Sequence, residues 1–179
     1  RHMIEASGAV ELTDLFRLVP GFQVGYYHGA EGTRTIVTSH GYSDQFSRRM
    51  QVMIDGRSVY KPATGGAEWE DLPLLLDDIE RIEVIRGPNA VSYGANAMVG
   101  IINIITRHPS NQQGGYLSTT VGERGYRQAS VRLGEGFGSV HYRISGDFTK
   151  NTGYEDKEDD VGLADDMLTR GLTFRGDYR

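Results

Sequence analysis

From Ser139 to Thr149 the chain alternates without a break. Val140, Tyr142, Ile144, Gly146 and Phe148 fall on one side of an extended strand, and Ser139, His141, Arg143, Ser145, Asp147 and Thr149 on the other. The same period of two recurs in Leu117, Thr119 and Val121, and in Ala129, Val131 and Leu133. It returns in Leu172, Phe174, Gly176 and Tyr178, set against Thr173, Arg175 and Asp177. The pattern from Gly114 onward predicts antiparallel strands with short turns at Glu123-Arg124-Gly125 and Glu135-Gly136-Phe137, and one long acidic connection, Asn151 to Thr169. Periodicity does not say which face is dry. A soluble sandwich turns its apolar face inward, whereas a transmembrane barrel turns it to lipid.

Before His108-Pro109 the pattern is mixed. Ile4, Val10, Leu12, Leu15, Phe16, Leu18 and Val19 recur at helical spacings, with Gly8 breaking the run and Thr13-Asp14 placed to cap its second part. Pro20-Gly21 ends that helix, and strands are predicted at Phe22–Val24, Thr35–Thr38 and Gln51–Ile54. Asp55-Gly56 is a hairpin dipeptide, since both residues accept the left-handed backbone that a tight turn requires. Leu72 to Leu76, ahead of Asp77-Asp78, predicts a short helix. The chain thus divides into a small α+β domain over residues 1–108 and an incomplete set of antiparallel β-strands over 109–179.

The most specific stretch is Ile79 to Arg107, IERIEVIRGPNAVSYGANAMVGIINIITR. A β-branched strand leads into Arg86-Gly87-Pro88, a run of small residues is punctuated by Gly94 and Gly100, and Ile101–Ile105 forms a second apolar strand. Pro88 cannot donate to a ladder, and glycine permits close backbone approach. This word order resembles the plug domain of TonB-dependent outer-membrane receptors. Leu18-Val19-Pro20-Gly21-Phe22 is similar to that family's helix-to-strand LPGV corner, and Val52-Met53-Ile54-Asp55-Gly56 to its V-L-I-D-G hairpin. The three motifs occur in the family's order.

Composition narrows the alternatives. With 179 residues and a net charge of −5, the chain has no general basic field to attract nucleic acid. Its 24 glycines and 10 tyrosines favour a turn-rich β protein, and the lack of cysteine excludes disulfides and thiolate metal sites. No apolar run approaches the ~18 residues of a membrane helix, so any membrane role uses strands. The opening Arg1-His2-Met3 reads as the start of an excised piece. No GxGxxG, GxxxxGK[ST], HExxH or GxSxG motif is present, so the reading is of a non-enzyme that needs no cofactor.

The resemblance implies a ligand-gated import receptor of the bacterial outer membrane, energised through TonB. Its plug would occlude a β-barrel in outer-membrane lipid and contribute to binding a scarce nutrient such as an iron–siderophore complex. The alternative is a soluble β-rich ligand-binding or adhesive module carrying a plug-like segment. A complete receptor has about 22 strands, and the TonB-binding segment and first plug strand are expected upstream of this chain. In the family the outward loops bind cargo, which here nominates Tyr26, Tyr27, His28 and Glu31, and Tyr60, Lys61, Glu68 and Trp69. Arg86 matches the family arginine that anchors plug to barrel. The second such arginine is replaced by His40 within Thr38-Ser39-His40-Gly41, which is either a neutral hydrogen-bonding turn residue or a substitute charge whose contact loosens above about pH 6.5, the ordinary histidine value. The acidic run Glu155-Asp156-Lys157-Glu158-Asp159-Asp160 offers calcium-type donors, but its spacing fits no EF-hand loop and it reads as solvated charge.

Overall fold

In the computed structural model the described residues are 1–29, 32–41, 46–123, 125–152 and 166–178, with the backbone alone at 28, 29, 32 and 33. The helical spacing at the start resolves into two pieces: a one-turn helix α1 (His2–Ala6) and a 3-10 segment, Leu12–Leu18. The expected cap at Thr13-Asp14 moves upstream. Glu11 is the N-cap, and its N–H donates to Asp14 Oδ2 at 3.1 Å in a reciprocal capping box. The tight 3-10 turn drives Leu15 and Phe16 into the core before Pro20 ends it.

Strands β1 (Phe22–Gly29) and β2 (Gly32–Ser39) form a two-stranded sheet. Next come β3 (Met50–Ile54) and the short β4 (Arg57–Ser58), joined by the predicted turn, with φ of 49° at Asp55 and 76° at Gly56. The predicted Leu72–Leu76 helix does not form. Pro73 offers no N–H and holds Leu72 extended, so only 3-10 turns at Trp69–Asp71 and Leu76–Asp78 flank the gap. Strand β5 (Ile79–Arg86), a single helical turn α2 (Ala90–Tyr93) and β6 (Gly100–Thr106) complete this region. The sheet order is β4-β3-β6-β5, with β6 parallel to β3 and antiparallel to β5.

A central position explains the apolar run in β6. Ile101, Ile102 and Ile104 are all 0 % exposed, so both faces of this strand are covered. The Asp55 carboxylate fastens the hairpin to the strand's far end, accepting from Thr106 N at 2.8 Å and Thr106 Oγ1 at 2.7 Å. These elements belong to one compact unit, Arg1–Tyr27 with Arg34–Leu72 and Leu76–Thr106.

The second unit holds Arg107–Arg179 together with His28–Thr33 and Pro73–Leu75. Its strands β7 (Gly114–Val121), β8 (Arg127–Phe137), β9 (Val140–Asn151) and β10 (Met167–Tyr178) form an antiparallel meander, open at both edges among the described residues. The tight turn predicted at Glu135–Phe137 falls instead at Gly138-Ser139, where Gly138 supplies the φ of 60°. Alternation in this sheet is inverted. Leu117, Leu133, Leu172 and Phe174 are 61–77 % exposed, while Arg132, Arg143 and Ser145 are under 9 %. The chain enters this sheet through a 3-10 turn, Pro109–Asn111, which the buried Arg143 holds by donating to Arg107 O at 3.2 Å and to Gln112 Oε1.

Candidate functional site

Of the nominated binding residues, Tyr26 and Tyr27 lie on β1, and Tyr60, Lys61 and Glu68 on the loop after β4. Tyr26 and Tyr27 are each 46 % exposed, and as neighbours on a strand they point to opposite faces. Burial, followed by the nearby Glu11 and Asp14 carboxylates, pushes the Tyr26 phenol above its usual value, so it remains a neutral hydrogen-bonding group. Glu11 is itself raised, first by burial and then by Asp14 and Glu70. Glu31 and the His28 side chain lie outside the described residues, as does the acidic run Glu155–Asp160.

The loop after β4 is closed by its own backbone. Lys61 N donates to Gly66 O at 2.9 Å, and Gly65 N to Lys61 O at 2.8 Å. Gly66 is required there because a Cβ would stand 1.9 Å from Phe46 O. Lys61, nominated for cargo binding, is neutralised by neighbouring carboxylates. Its ammonium pairs with Glu68 at 2.8 Å and with Asp71, and these bonds, Asp71 first, raise its pKa. The same contact, again the leading cause, lowers the Asp71 carboxyl. Glu68 also lies 4.0 Å from Arg34 Nη1.

Trp69 is a core side chain, 5 % exposed, rather than a loop-tip contact. Its ring meets Phe16 edge-on at 5.0 Å, and its Nε1 donates to Ser47 Oγ at 3.1 Å. A lone tryptophan in a polar loop carries no sequence signal for this inward turn. Tyr60, by contrast, is 43 % exposed. It borders an open groove of about 460 Å³ with Gln51, Ser58, Tyr93 and Asn96. The sequence did not single out Phe46, whose ring is approached by the guanidinium groups of Arg34 at 5.4 Å and Arg48 at 5.3 Å. That cluster joins residues from separate segments, so no local pattern announces it.

The two nominated anchors, 46 positions apart in the chain, converge. Arg86 Nη1 donates to Pro20 O at 3.3 Å, and His40 N donates to Gly21 O at 2.8 Å. The His40 ring covers Gly21 so closely that a Cβ there would stand 3.0 Å from Cε1. Both anchors are exposed, and their contacts gather them at the Pro20-Gly21 corner. Among the described residues no cluster of His, Cys, Asp and Glu has metal-binding geometry.

Residues 1–101 match the family model described as TonB-dependent Receptor Plug Domain. A vitamin B12 transporter, BtuB, of Vibrio vulnificus is 30 % identical over 162 residues, covering 89 % of this chain and 25 % of that protein. Among solved structures, the FrpB iron transporter of Neisseria meningitidis superposes with a TM-score of 0.73 at 12 % identity, over 97 % of this chain and 28 % of that one. The ferric yersiniabactin uptake receptor FyuA of Yersinia pestis gives a TM-score of 0.64 at 21 % identity, over 96 % and 26 %. The last two likenesses speak to fold alone. The chain spans about a quarter of the length of these relatives.

Proposed function

Because the chain belongs to the plug-domain family of TonB-dependent outer-membrane receptors, we propose that it forms the plug and first barrel strands of a ligand-gated, TonB-energised import receptor. On this reading residues 1–108 are the plug and 109–179 open the barrel. The plug occludes the lumen, TonB acts through a segment upstream of this chain, and the receptor imports without catalysing a reaction. The observation that carries the proposal is the inverted second sheet: apolar side chains on β7–β10 are exposed while arginine and serine are buried. That arrangement is costly in water and suited to a wall between lipid and a polar lumen.

The cargo is a scarce chelate or vitamin, either an iron–siderophore complex or a corrinoid. The relatives bear names of both kinds, a vitamin B12 transporter and a ferric yersiniabactin receptor. Tyr26, Tyr27, Tyr60 and the loop closed by Lys61 and Glu68 form the cargo-facing surface. Trp69 supports that loop from beneath. Arg86 and His40 anchor the plug from the Pro20-Gly21 corner.

Deletion of the full-length gene tests the reading. Growth is expected to fail when one ferric siderophore is the sole iron source, or one corrinoid the sole vitamin source. Restoration should require both TonB and an intact plug. Unchanged uptake of every such nutrient in the deletion strain would remove the proposal.

A further inference from the structure

The segment between β6 and β7, residues 107–113, is gripped by the sheet it leads into. Thr106 closes the first unit and Arg107 opens the continuous part of the second. The segment folds on itself, with Asn111 N donating to His108 O at 2.9 Å, Gln112 N to Pro109 O at 3.0 Å and Arg107 Nη2 to Asn111 O at 3.1 Å. Three neighbouring strands then hold it. On β8, Gly134 leaves a gap: a Cβ there would stand 2.0 Å from Gln112 O, so the segment's backbone rests directly on the strand. On β9, Arg143 lies opposite Gly134 in the register, and its fork donates to Arg107 O and Gln112 Oε1, bracketing the segment at both ends. On β10, Asp177 accepts from Arg175 Nε at 2.9 Å and places Oδ2 3.6 Å from His108 Nε2. Pro109 and Gln112 are buried in this seat, and Gly114, at a φ of 90°, turns the chain out of it into β7.

We infer that this seat is a mechanical stop, and that Gly134 and Arg143 are the residues that position it. The inference rests on the barrel reading, in which TonB draws on the chain from upstream, and adds the place where that movement halts. Its physical ground is the order in which contacts break. A pull from the N-terminal side meets the elements of the first unit one after another. The first is α1, preceded by Arg1, whose Nη1 donates to Asp77 O and Ile79 O at 2.9 Å each. Such elements let go singly, as local openings. The segment after Thr106 is held differently, because its contacts to β8, β9 and β10 lie side by side and must break together. Leaving the seat also strips the buried Arg143 guanidinium of two acceptors at once.

The test pulls the full-length receptor, inserted in a phosphatidylcholine bilayer, by a handle at its N-terminus. Single-molecule force spectroscopy reads the contour length released before the barrel itself yields. Wild type should release the chain up to Thr106 and stop. Gly134→Ala and Arg143→Met should each add about 25 Å, the extended span of residues 107–113 at ~3.6 Å per residue. Amide exchange at Asn111 and Gln112 should quicken on the order of tenfold in both variants, with the β8–β9 ladder unchanged. Gly146→Ala is the control, because its Cβ would meet nothing nearer than 3.6 Å, and its length should equal the wild type's. A wild-type length that already includes residues 107–113 overturns the inference, and that result needs no variant to fold. Variants that stop at Thr106 like the wild type overturn it as well. Failure of the wild type to insert, read by heat-modifiable migration on gels, overturns the barrel reading instead.

Discussion

In the β3–β6 sheet the covered side chains are Ile101, Ile102 and Ile104, whereas in the β7–β10 sheet they are Arg132, Arg143 and Ser145. Both sheets have four strands and come from one chain of ordinary composition, yet they sort residues in opposite senses. The first obeys the usual drive to remove apolar surface from water. The second exposes the same kinds of side chain and covers polar ones. Such sorting suits a wall whose outer solvent is apolar, as the proposed barrel supplies, whereas the first sheet's sorting suits water.

The contrast is broken most directly at Ile104 and Leu172. Ile104→Ala should cost the first unit about 2–5 kcal/mol, seen as a lower urea midpoint or faster hydrogen exchange in β6, because it leaves a cavity among packed neighbours. A negligible change would mean that β6 is not the centre of that core. Leu172→Arg should destabilise the inserted receptor by about 2–4 kcal/mol if that position sits near mid-depth in lipid. An effect within about 0.5 kcal/mol, the usual value for exposed surface in water, would remove the lipid-facing assignment.

Smaller effects sharpen the first unit. His40 holds a φ of 54°, a conformation that glycine adopts without strain and β-branched residues resist. Replacing His40 by Val should cost about 1–3 kcal/mol, and replacement by Gly much less. Thermal unfolding of the two variants separates backbone strain from loss of the imidazole, and equal destabilisation would point to the ring alone.

The Lys61–Asp71 pair supplies the smallest expected change, because Asp71 is 52 % exposed and Lys61 is 40 % exposed at the side chain. With Asp71 lowered, its contribution is present above about pH 3.9 and lost as pH falls through the lower folded value. With Lys61 raised, its contribution is present below about pH 10.4 and lost as pH rises through the higher folded value. Solvent screening limits the pair to about 0.2–1 kcal/mol. Asp71→Asn should therefore flatten the acid limb of the loop's stability without moving the neutral plateau by more than that, measured by hydrogen exchange at Lys61 and Gly65.

Much of this architecture is legible in the residues themselves. Ile79–Arg107 declares its two strands through β-branched runs, Asp55-Gly56 declares a turn that needs left-handed backbone, and the alternation after Gly114 declares strands. Local preferences also explain where the reading strayed. Gly8 and Pro73 shorten elements that apolar spacing alone would have extended. At the far end of β8 the strand runs through Glu135-Gly136-Phe137 to a glycine that turns more cheaply.

What sequence alone determined is period, turn chemistry and family: where the chain extends, where it reverses, and the order of its motifs. Tertiary structure decided the rest. It set the sign of the alternation in β7–β10, the inward turn of Trp69, the approach of Arg34 and Arg48 to the Phe46 ring and the convergence of Arg86 and His40 on Pro20-Gly21. The physical reason is that a period of two is symmetric between a strand's faces. Only what packs against each face breaks that symmetry, and those contacts come from residues distant in the chain.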